Sequence, residues 1–281
     1  MTGLFGKAAA VALAAFATAA AVASAVPAEG PGAPILLYHR FGETPAASTT
    51  VTDATFEEQL TWLSTHGYTV ARLADVVAAL RGGAPLAPQT VAITVDDGRR
   101  SQYTEMFPII LRRRVPVTLF VYTDAISVEP DALTWGQIDE MRKSGLVEVQ
   151  SHTCSHPQFA RERERRGAMD YEAFVARELG QSKARLEERL KAPIAYLAWP
   201  YGVFDPQLEQ AAAKAGYAAA FVVGGRIARP SDDPFALPRM AVLDRDRGEA
   251  FRRLLDGGAP ERVAEETPLA SCEVDAPQAP R

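Results

Sequence analysis

Short apolar runs alternate with longer stretches of helical periodicity along most of this chain. The runs are rich in branched side chains, as expected of strands buried on both faces, and fall at 34–38, 91–95, 117–122, 147–150, 194–198, 219–223 and 237–243. Stretches with apolar residues on one helical face lie at 55–63, 74–81, 101–113, 136–143, 171–190, 206–215 and 248–255. Thr55 and Glu58 have the spacing of a capping box at the start of the first helix. Because strands separated by helices pair in parallel through right-handed crossovers, the pattern predicts an α/β fold.

The number of these units favours a barrel. About seven strands, each followed by a helix, fit a single-domain, distorted (β/α) barrel better than an open doubly wound sheet, which is the alternative. The chain has 281 residues, 47% of them hydrophobic, which is enough to bury the core of a barrel of roughly 200 to 250 residues. Active residues of such barrels gather at the carboxyl ends of the strands. Asp96, His152 and the pair Pro200-Tyr201 each follow a strand-like run.

The two ends of the chain differ from this middle part. Lys7 precedes the apolar run 8–23, and Ala23-Ser24-Ala25 has the small-x-small pattern of a cleavage site, so residues 1–25 are predicted to be an export signal. A retained anchor is the alternative, although the run is shorter than the roughly 20 residues that span a bilayer. Residues 259–281, rich in Pro, Ala and Glu, are predicted to be disordered. The folded part is therefore expected at 26–258, in the periplasm or outside the cell.

Charge and cysteine content exclude several classes of protein. The net charge of -5 does not indicate binding to nucleic acid, and stable insertion in a membrane is not expected once the signal is removed. Two cysteines, Cys154 and Cys272, are too few for a disulfide framework, although one bridge between them is possible in an exported protein. Cys154 lies between two histidines and could be a soft metal ligand. Packing is favoured, because a carboxylate already completes the ligand set.

Polar residues at two strand ends suggest the chemistry. Asp96, Asp97 and Gly98 follow the run 91–95, and His152 and His156 follow the run 147–150. By itself an Asp-Asp-Gly sequence is usually a turn, and a histidine pair at this spacing can be one face of a helix. Together, one carboxylate and two imidazoles form a three-ligand set that leaves a coordination position open, typical of a catalytic zinc site. Zinc is the first expectation, and cobalt, nickel or iron would suit the same donors. The combination favours a metal-assisted hydrolase.

Three motifs lie at the ends of strand-like runs: Thr94-Val95-Asp96-Asp97-Gly98, Ser151 to His156, and Trp199-Pro200-Tyr201-Gly202. In this order they resemble the Thr-Phe-Asp-Asp-Gly motif, the His-Ser/Thr-x-x-His motif and the third motif, ending in Pro-Tyr-Gly, of polysaccharide deacetylases of the nodulation-protein type, carbohydrate esterase family four. The likeness runs from about Pro34 to Leu243. It implies removal of N-acetyl groups from an acetylated amino-sugar polymer, such as poly-N-acetylglucosamine, peptidoglycan or a chitin-like chain.

The same resemblance implies roles for individual residues. Asp97, His152 and His156 are expected to bind the metal, and Asp96 is expected to be the general base. The Pro200-Tyr201-Gly202 turn is expected to donate the backbone N–H of Tyr201 to the oxyanion, because proline cannot donate and glycine allows a close approach.

Two departures from the family pattern concern the remaining roles. The arginine that often precedes the third motif is missing, and no histidine follows His156 to serve as the acid. The segments Leu36 to Arg40 and Leu237-Pro238-Arg239 are similar to a permuted branch, which includes the poly-N-acetylglucosamine deacetylases and takes its acid histidine from the first strand.

This branch resemblance implies that His39 protonates the leaving amine. The other uncommitted histidine, His66, lies at a predicted helix end, where a histidine commonly caps carbonyl groups. Arg239 or Arg40 is expected to orient Asp96 in place of the missing arginine.

Two other functions fit the same residues. An exported glycan-binding or assembly protein that keeps the fold without turnover would also lack the family's arginine and late histidine. A related hydrolase could instead cut a small linear amide. Acetate release separates the first alternative from an enzyme, and a comparison of oligosaccharide with small amide substrates separates the second.

Overall fold

A computed structural model describes residues 32–257. The export signal predicted at 1–25 and the tail predicted at 259–281 lie outside these residues. None of the helices within 32–257 combines the length and the hydrophobicity that a membrane span requires.

The described chain folds as a closed parallel barrel surrounded by helices, in a single domain. The strands are β1 (Ile35–Tyr38), β2 (Arg40–Gly42), β3 (Thr50–Thr52), β4 (Thr69–Ala71), β5 (Thr90–Asp96), β6 (Val117–Val121), β7 (Val147–Ser151), β8 (Tyr196–Ala198), β9 (Ala219–Val223) and β10 (Leu237–Ala241). The barrel comprises β1 and β5 to β10. It closes because β1 pairs in parallel with both β5 and β10. The predicted seven-stranded barrel is confirmed.

Helices cover the outside of this barrel. They are α1 (Asp53–Thr65), α2 (Leu73–Leu80), α3 (Phe107–Arg113), α4 (Trp135–Lys143), α5 (Phe159–Arg165), α6 (Ala168–Leu190), α7 (Pro206–Lys214) and α8 (Gly248–Leu255). Every residue of β1, β5 and β6 is buried, because one face of each strand fills the barrel and the other meets the helices. Ala92, Phe120 and Phe221 belong to one apolar cluster, which also takes in α2 and the first residues of several strands.

Several short elements differ from the sequence-based prediction. Strands β2, β3 and β4 have three residues each, too few to show an alternating pattern, and they were not predicted. Helix α1 begins at Asp53, and its N-cap is Thr52, whose side chain accepts from the N–H of Thr55. The capping box predicted at Thr55 is therefore wrong. A capping box does occur at the start of α4, between Thr134 and Gln137.

Both ends of the described segment reach the same place in the fold. Gly32 and Gly257 each pack against Ile227. Ala33 forms a backbone bridge with Ala228, next to Ile227 and just before β1 begins. This place is at the amino ends of the barrel strands.

The start of α1 is held by hydrogen bonds to Asp244, which follows β10. The Asp244 carboxylate accepts from the N–H of Thr52 at 2.8 Å and from the hydroxyls of Thr52 and Thr55 at 2.7 and 2.6 Å. Burial would raise the pKa of Asp244, but the threonine hydrogen bonds and Arg247 together hold it well below its usual value. The folded state therefore binds a proton here less readily than the unfolded chain does.

We expect Asp244→Ala to lower the free energy of unfolding by about 2 kcal/mol at pH 7, since hydrogen bonds to a charged acceptor are lost. Because the pKa of Asp244 is depressed by folding, this contribution is complete above the unfolded value of about 3.9 and declines as the pH falls below it. Urea unfolding of both proteins at pH 7 and pH 3 measures the difference. An equal difference at both pH values would contradict the assignment.

Candidate functional site

The carboxyl ends of the barrel strands bring the predicted site residues to one rim. Each of these residues lies at or just after a strand: His39 after β1, Asp96 and Asp97 at the end of β5, His152 and His156 after β7, Tyr201 after β8, and Arg239 within β10. Residues far apart in the sequence thus share one end of the barrel, as parallel strands require.

Asp97, His152 and His156 form a compact group. Nε2 of His152 lies 3.7 Å from Oδ1 of Asp97, and Nε2 of His156 lies 3.6 Å from the same oxygen. One ligand atom from each residue lies within 4.8 Å of the other two. Tetrahedral coordination with bonds of about 2.1 Å separates ligand atoms by about 3.4 Å. The two nitrogens and one oxygen therefore fit a single divalent ion.

The ring of His152 is oriented by the main chain. Its Nδ1 lies 2.8 Å from the carbonyl oxygen of Ala198, at the end of β8. A carbonyl can only accept, so Nδ1 carries a proton and donates the hydrogen bond; in the neutral form of the ring, the lone pair is therefore on Nε2. This lone pair faces Asp97, which is the arrangement that a metal ligand needs.

The charge states of the group also suit a metal. Burial would raise the pKa of Asp97, but the neighbouring imidazoles of His39, His156 and His152 hold it at about 2. Burial, reinforced by His152, lowers the pKa of His156 to about 4, although Asp97 acts in the opposite direction. Near neutral pH, Asp97 is thus ionised and His156 is neutral, the forms in which both residues bind metals.

Asp96 is held by a buried arginine. Nη1 and Nη2 of Arg239 donate to Oδ1 and Oδ2 of Asp96 at 2.7 and 2.6 Å, and the Arg239 side chain is fully buried. Burial would raise the pKa of Asp96, but Arg239 lowers it, and the carboxylate stays ionised. The two-point contact fixes the plane of the carboxylate. Asp96 lies beside the metal group, with Oδ2 3.8 Å from Nε2 of His152.

The second arginine considered for this role lies elsewhere. Arg40 is about one-third exposed and pairs with Asp131 at 3.4 Å. Of the two candidates, only Arg239 contacts Asp96 in the described structure.

The remaining predicted residues flank the group. The half-buried His39 follows β1, and burial lowers its pKa although the charges of Asp97 and Asp96 oppose this. The ring of Tyr201 lies 4.7 Å from that of His156, between ring centres. His66 is outside the rim, with Nδ1 2.8 Å from the carbonyl oxygen of Trp62 at the end of α1. This contact is the capping arrangement expected for His66.

The backbone is strained around the site. Asp97, Thr153, His156 and Tyr201 have φ angles of 77°, 72°, 56° and 58°. Side chains other than glycine rarely adopt this left-handed region, and residues held there tend to cluster at functional sites. The neighbouring contacts must therefore hold these residues in place.

Two further residues of the site were not predicted. Gln102 is fully buried, and its Nε2 donates to the carbonyl oxygens of His39 and Asp96, which ties the ends of β1 and β5 together. It lies in a π-helical turn, Gln102–Met106, where an ordinary α-helix was predicted. Nε of Arg99 lies 3.6 Å from Oδ2 of Asp97. Nothing in the sequence indicates these contacts, because one residue is a glutamine within a helical stretch and the other is an arginine after a turn.

Cys154 packs in the protein interior. It is buried, and its Sγ faces the carbonyl oxygen of Arg177 at 3.8 Å. Burial raises the pKa of the thiol to about 11, so the thiol stays protonated near neutral pH. A bridge to Cys272 concerns a residue outside the described range.

The sequence of this chain is similar to that of known proteins. Residues 83–220 match the protein family described as "Polysaccharide deacetylase". The chain is 24% identical over 209 residues to a poly-beta-1,6-N-acetyl-D-glucosamine N-deacetylase of Staphylococcus aureus (strain MRSA252), across 73% of this chain and 70% of the relative.

Solved structures resemble the fold over a similar extent. The deacetylase PplD of Streptococcus pyogenes, in complex with acetate, superposes with a TM-score of 0.72 at 25% identity, over 80% of this chain and 99% of that one. IcaB from Ammonifex degensii superposes with a TM-score of 0.71 at 26% identity, over 82% of this chain and 99% of that one. The similarity thus extends over most of the described barrel.

Proposed function

Because this chain carries a polysaccharide deacetylase domain, we propose that it is a hydrolase that removes N-acetyl groups from an amino-sugar polymer outside the cytoplasm. The observation that carries the proposal is the group of Asp97, His152 and His156, which lies beside the paired Asp96 and Arg239. Poly-β-1,6-N-acetylglucosamine is the proposed substrate, because the Staphylococcus aureus relative is named for it. The export signal predicted at 1–25 supports action on a polymer outside the cytoplasm.

Asp97, His152 and His156 would hold one divalent ion, with zinc proposed and cobalt, nickel or iron suited to the same donors. Such an ion, when bound, lowers the pKa of water and polarises the acetyl carbonyl. The fit rests on the close ligand atoms, the ionised Asp97 and the lone pair of His152.

The other residues would handle the protons and the developing charge. Asp96 takes a proton from the attacking water, while Arg239 keeps the carboxylate in one orientation. The backbone N–H of Tyr201 would stabilise the tetrahedral oxyanion. His39 would protonate the amine as the C–N bond breaks, because an amine anion is too basic to leave. The products are acetate and a free amino sugar.

Acetate release tests the proposal. The protein is incubated with oligomers of β-1,6-linked N-acetylglucosamine, with peptidoglycan, with chitin oligomers and with a small linear amide, each with and without a chelator. We expect chelator-sensitive acetate release from the β-1,6-linked oligomers. Binding of oligomers without acetate release would instead support a glycan-binding protein. Acetate release from the small amide alone would support a hydrolase of small linear amides.

His39→Ala is expected to lower kcat by about 100-fold or more, while metal content and fold are retained. The acid form of a histidine is lost as the pH rises, so the variant should also flatten the alkaline limb of the pH profile. Steady-state kinetics across the pH range measure both effects, with His66→Ala as the matched control. Deacetylation at close to the parent rate would remove His39 from the mechanism.

Tyr201→Phe should have only a mild effect on kcat. Loss of one oxyanion donor typically costs about 10² to 10³ in kcat, but the proposed donor is the main-chain N–H, which phenylalanine keeps. Steady-state kinetics with the β-1,6-linked oligomers provide the measurement. A collapse of kcat in a correctly folded variant would assign a role to the hydroxyl instead.

A further inference from the structure

The segment between the two histidines is bound by a buried carboxylate from another element. Glu178 lies on α6 and is 1% exposed. Its Oε2 accepts from the N–H groups of Cys154 and Ser155 at 3.1 and 2.9 Å, and its Oε1 accepts from the Ser155 hydroxyl at 3.0 Å. All three donors belong to the short segment that joins His152 to His156.

This segment needs such support because of its backbone conformation. Thr153 and His156 both have positive φ angles, which allow the chain to turn back so that both imidazoles face Asp97. Each such residue has an energetic cost and persists only where the surroundings hold it. Without Glu178, the N–H groups of Cys154 and Ser155 would lose their acceptor, and other conformations of the segment would become competitive.

A second contact from the same helix acts at the other end of the segment. Ser182 lies one helical turn after Glu178, on the same face of α6. Its hydroxyl is 2.9 Å from that of Ser151, and Oγ of Ser151 accepts from the N–H of Thr153 at 3.2 Å. One face of α6 thus supports the segment at two points.

We propose that Glu178 is a positioning residue, which sets the metal affinity of the site by fixing the segment between His152 and His156. The inference rests on the metal site of the proposed function. Glu178 touches neither metal nor substrate, and it acts through the main chain at Cys154 and Ser155. Arg177 lies 3.7 Å from Oε1 of Glu178, but it does not touch the segment's main chain through this contact. The effect is therefore assigned to the hydrogen-bonding reach of Glu178 and not to its charge.

Zinc affinity of the full chain tests this. Metal-free protein is titrated with Zn²⁺ against a chromophoric chelator, for the parent and for the variants Glu178→Ala, Glu178→Gln and Glu178→Asp. Loss of a partner that orients a ligand typically weakens metal binding by about 10- to 100-fold, and we expect this for Glu178→Ala. Glu178→Gln keeps the reach and an acceptor oxygen, so it should bind Zn²⁺ nearly as the parent does. Glu178→Asp keeps the charge but is shorter, so it should bind more weakly than Glu178→Gln.

Asp244→Ala is the matched control. The Asp244 carboxylate also accepts from a backbone N–H and from hydroxyls, but at α1 and not at the metal group. We expect it to lower the midpoint of thermal unfolding and to leave Zn²⁺ affinity unchanged. If Glu178→Ala does not fold, the order of the glutamine and aspartate variants decides.

The outcomes separate this inference from the proposed function. Parent-like affinity in Glu178→Ala, or stronger binding by the aspartate than by the glutamine variant, overturns the positioning role and leaves the metal site standing. An equal loss of affinity in Asp244→Ala also overturns it, because the effect would then follow stability alone. If the parent binds no Zn²⁺, the metal site of the proposed function fails, and the positioning role with it.

Discussion

Replacing His152 with alanine is expected to remove bound zinc and acetate release together. Nε2 of His152 is one of three ligand atoms that all lie within 4.8 Å of one another, and it is 3.7 Å from Oδ1 of Asp97. Its ring is fixed by the carbonyl of Ala198. Two ligands remain after the change. Outer partners of metal ligands already contribute about 10- to 100-fold to affinity, so the loss of a ligand should exceed this. Elemental analysis after dialysis and the acetate assay measure the two effects.

The control for this experiment is His66→Ala, which removes a histidine outside the rim. It should keep both metal and activity. Circular dichroism and thermal unfolding show whether His152→Ala remains folded. A full equivalent of metal in the folded His152 variant would refute the ligand assignment.

The second large effect is expected for Asp96→Asn. Asparagine has nearly the same shape but is a poor base, so kcat should fall by about 10² to 10⁴ while zinc remains bound. Asp97, His152 and His156 are unchanged by the substitution, and a metal content equal to that of the parent is therefore part of the expected result. Normal turnover in Asp96→Asn would exclude this carboxylate as the base.

The same substitution should also affect stability. Arg239 is fully buried, and an amide cannot balance its charge as the carboxylate of Asp96 does. Breaking a buried ion pair by removing one partner typically costs about 3 to 5 kcal/mol, so the variant should unfold at a lower urea concentration. The kinetics of Asp96→Asn are therefore measured at urea concentrations and temperatures well below its unfolding transition.

Arg239→Lys keeps the charge but not the two-point contact, and it should reduce kcat less than Asp96→Asn does.

The barrel could be predicted because its strands are buried on both faces. The runs that become β1, β5 and β6 are continuous in branched apolar residues, and the helices between them have clear periodicity. The clustering of Asp96, Asp97, His152 and His156 could be predicted because polar residues directly after such runs lie at one rim. By contrast, three-residue strands such as β2 are fixed by tertiary contacts and leave no pattern.

The choice between Arg239 and Arg40 could not be made from the sequence. Arg239 is 143 positions from Asp96, and the two side chains meet inside the closed barrel, so the contact depends on closure. Gln102 and Glu178 were missed for a similar reason. Each lies in a helix whose sequence does not show which loop or strand end its side chain will meet. The roles of His39 and Tyr201 in turnover stay predictions.

The meeting of Gly32 and Gly257 at Ile227 has a practical consequence. Both ends of the described segment lie at the amino ends of the strands, opposite the rim that carries Asp97 and His152. Attachment of the protein to a bead or a carrier domain through either end leaves the same side facing outward. A short peptide that joins the two ends would permit circular permutation, with new termini in an exposed loop. In an immobilised barrel, the rim would then point away from the support, towards the proposed polymer.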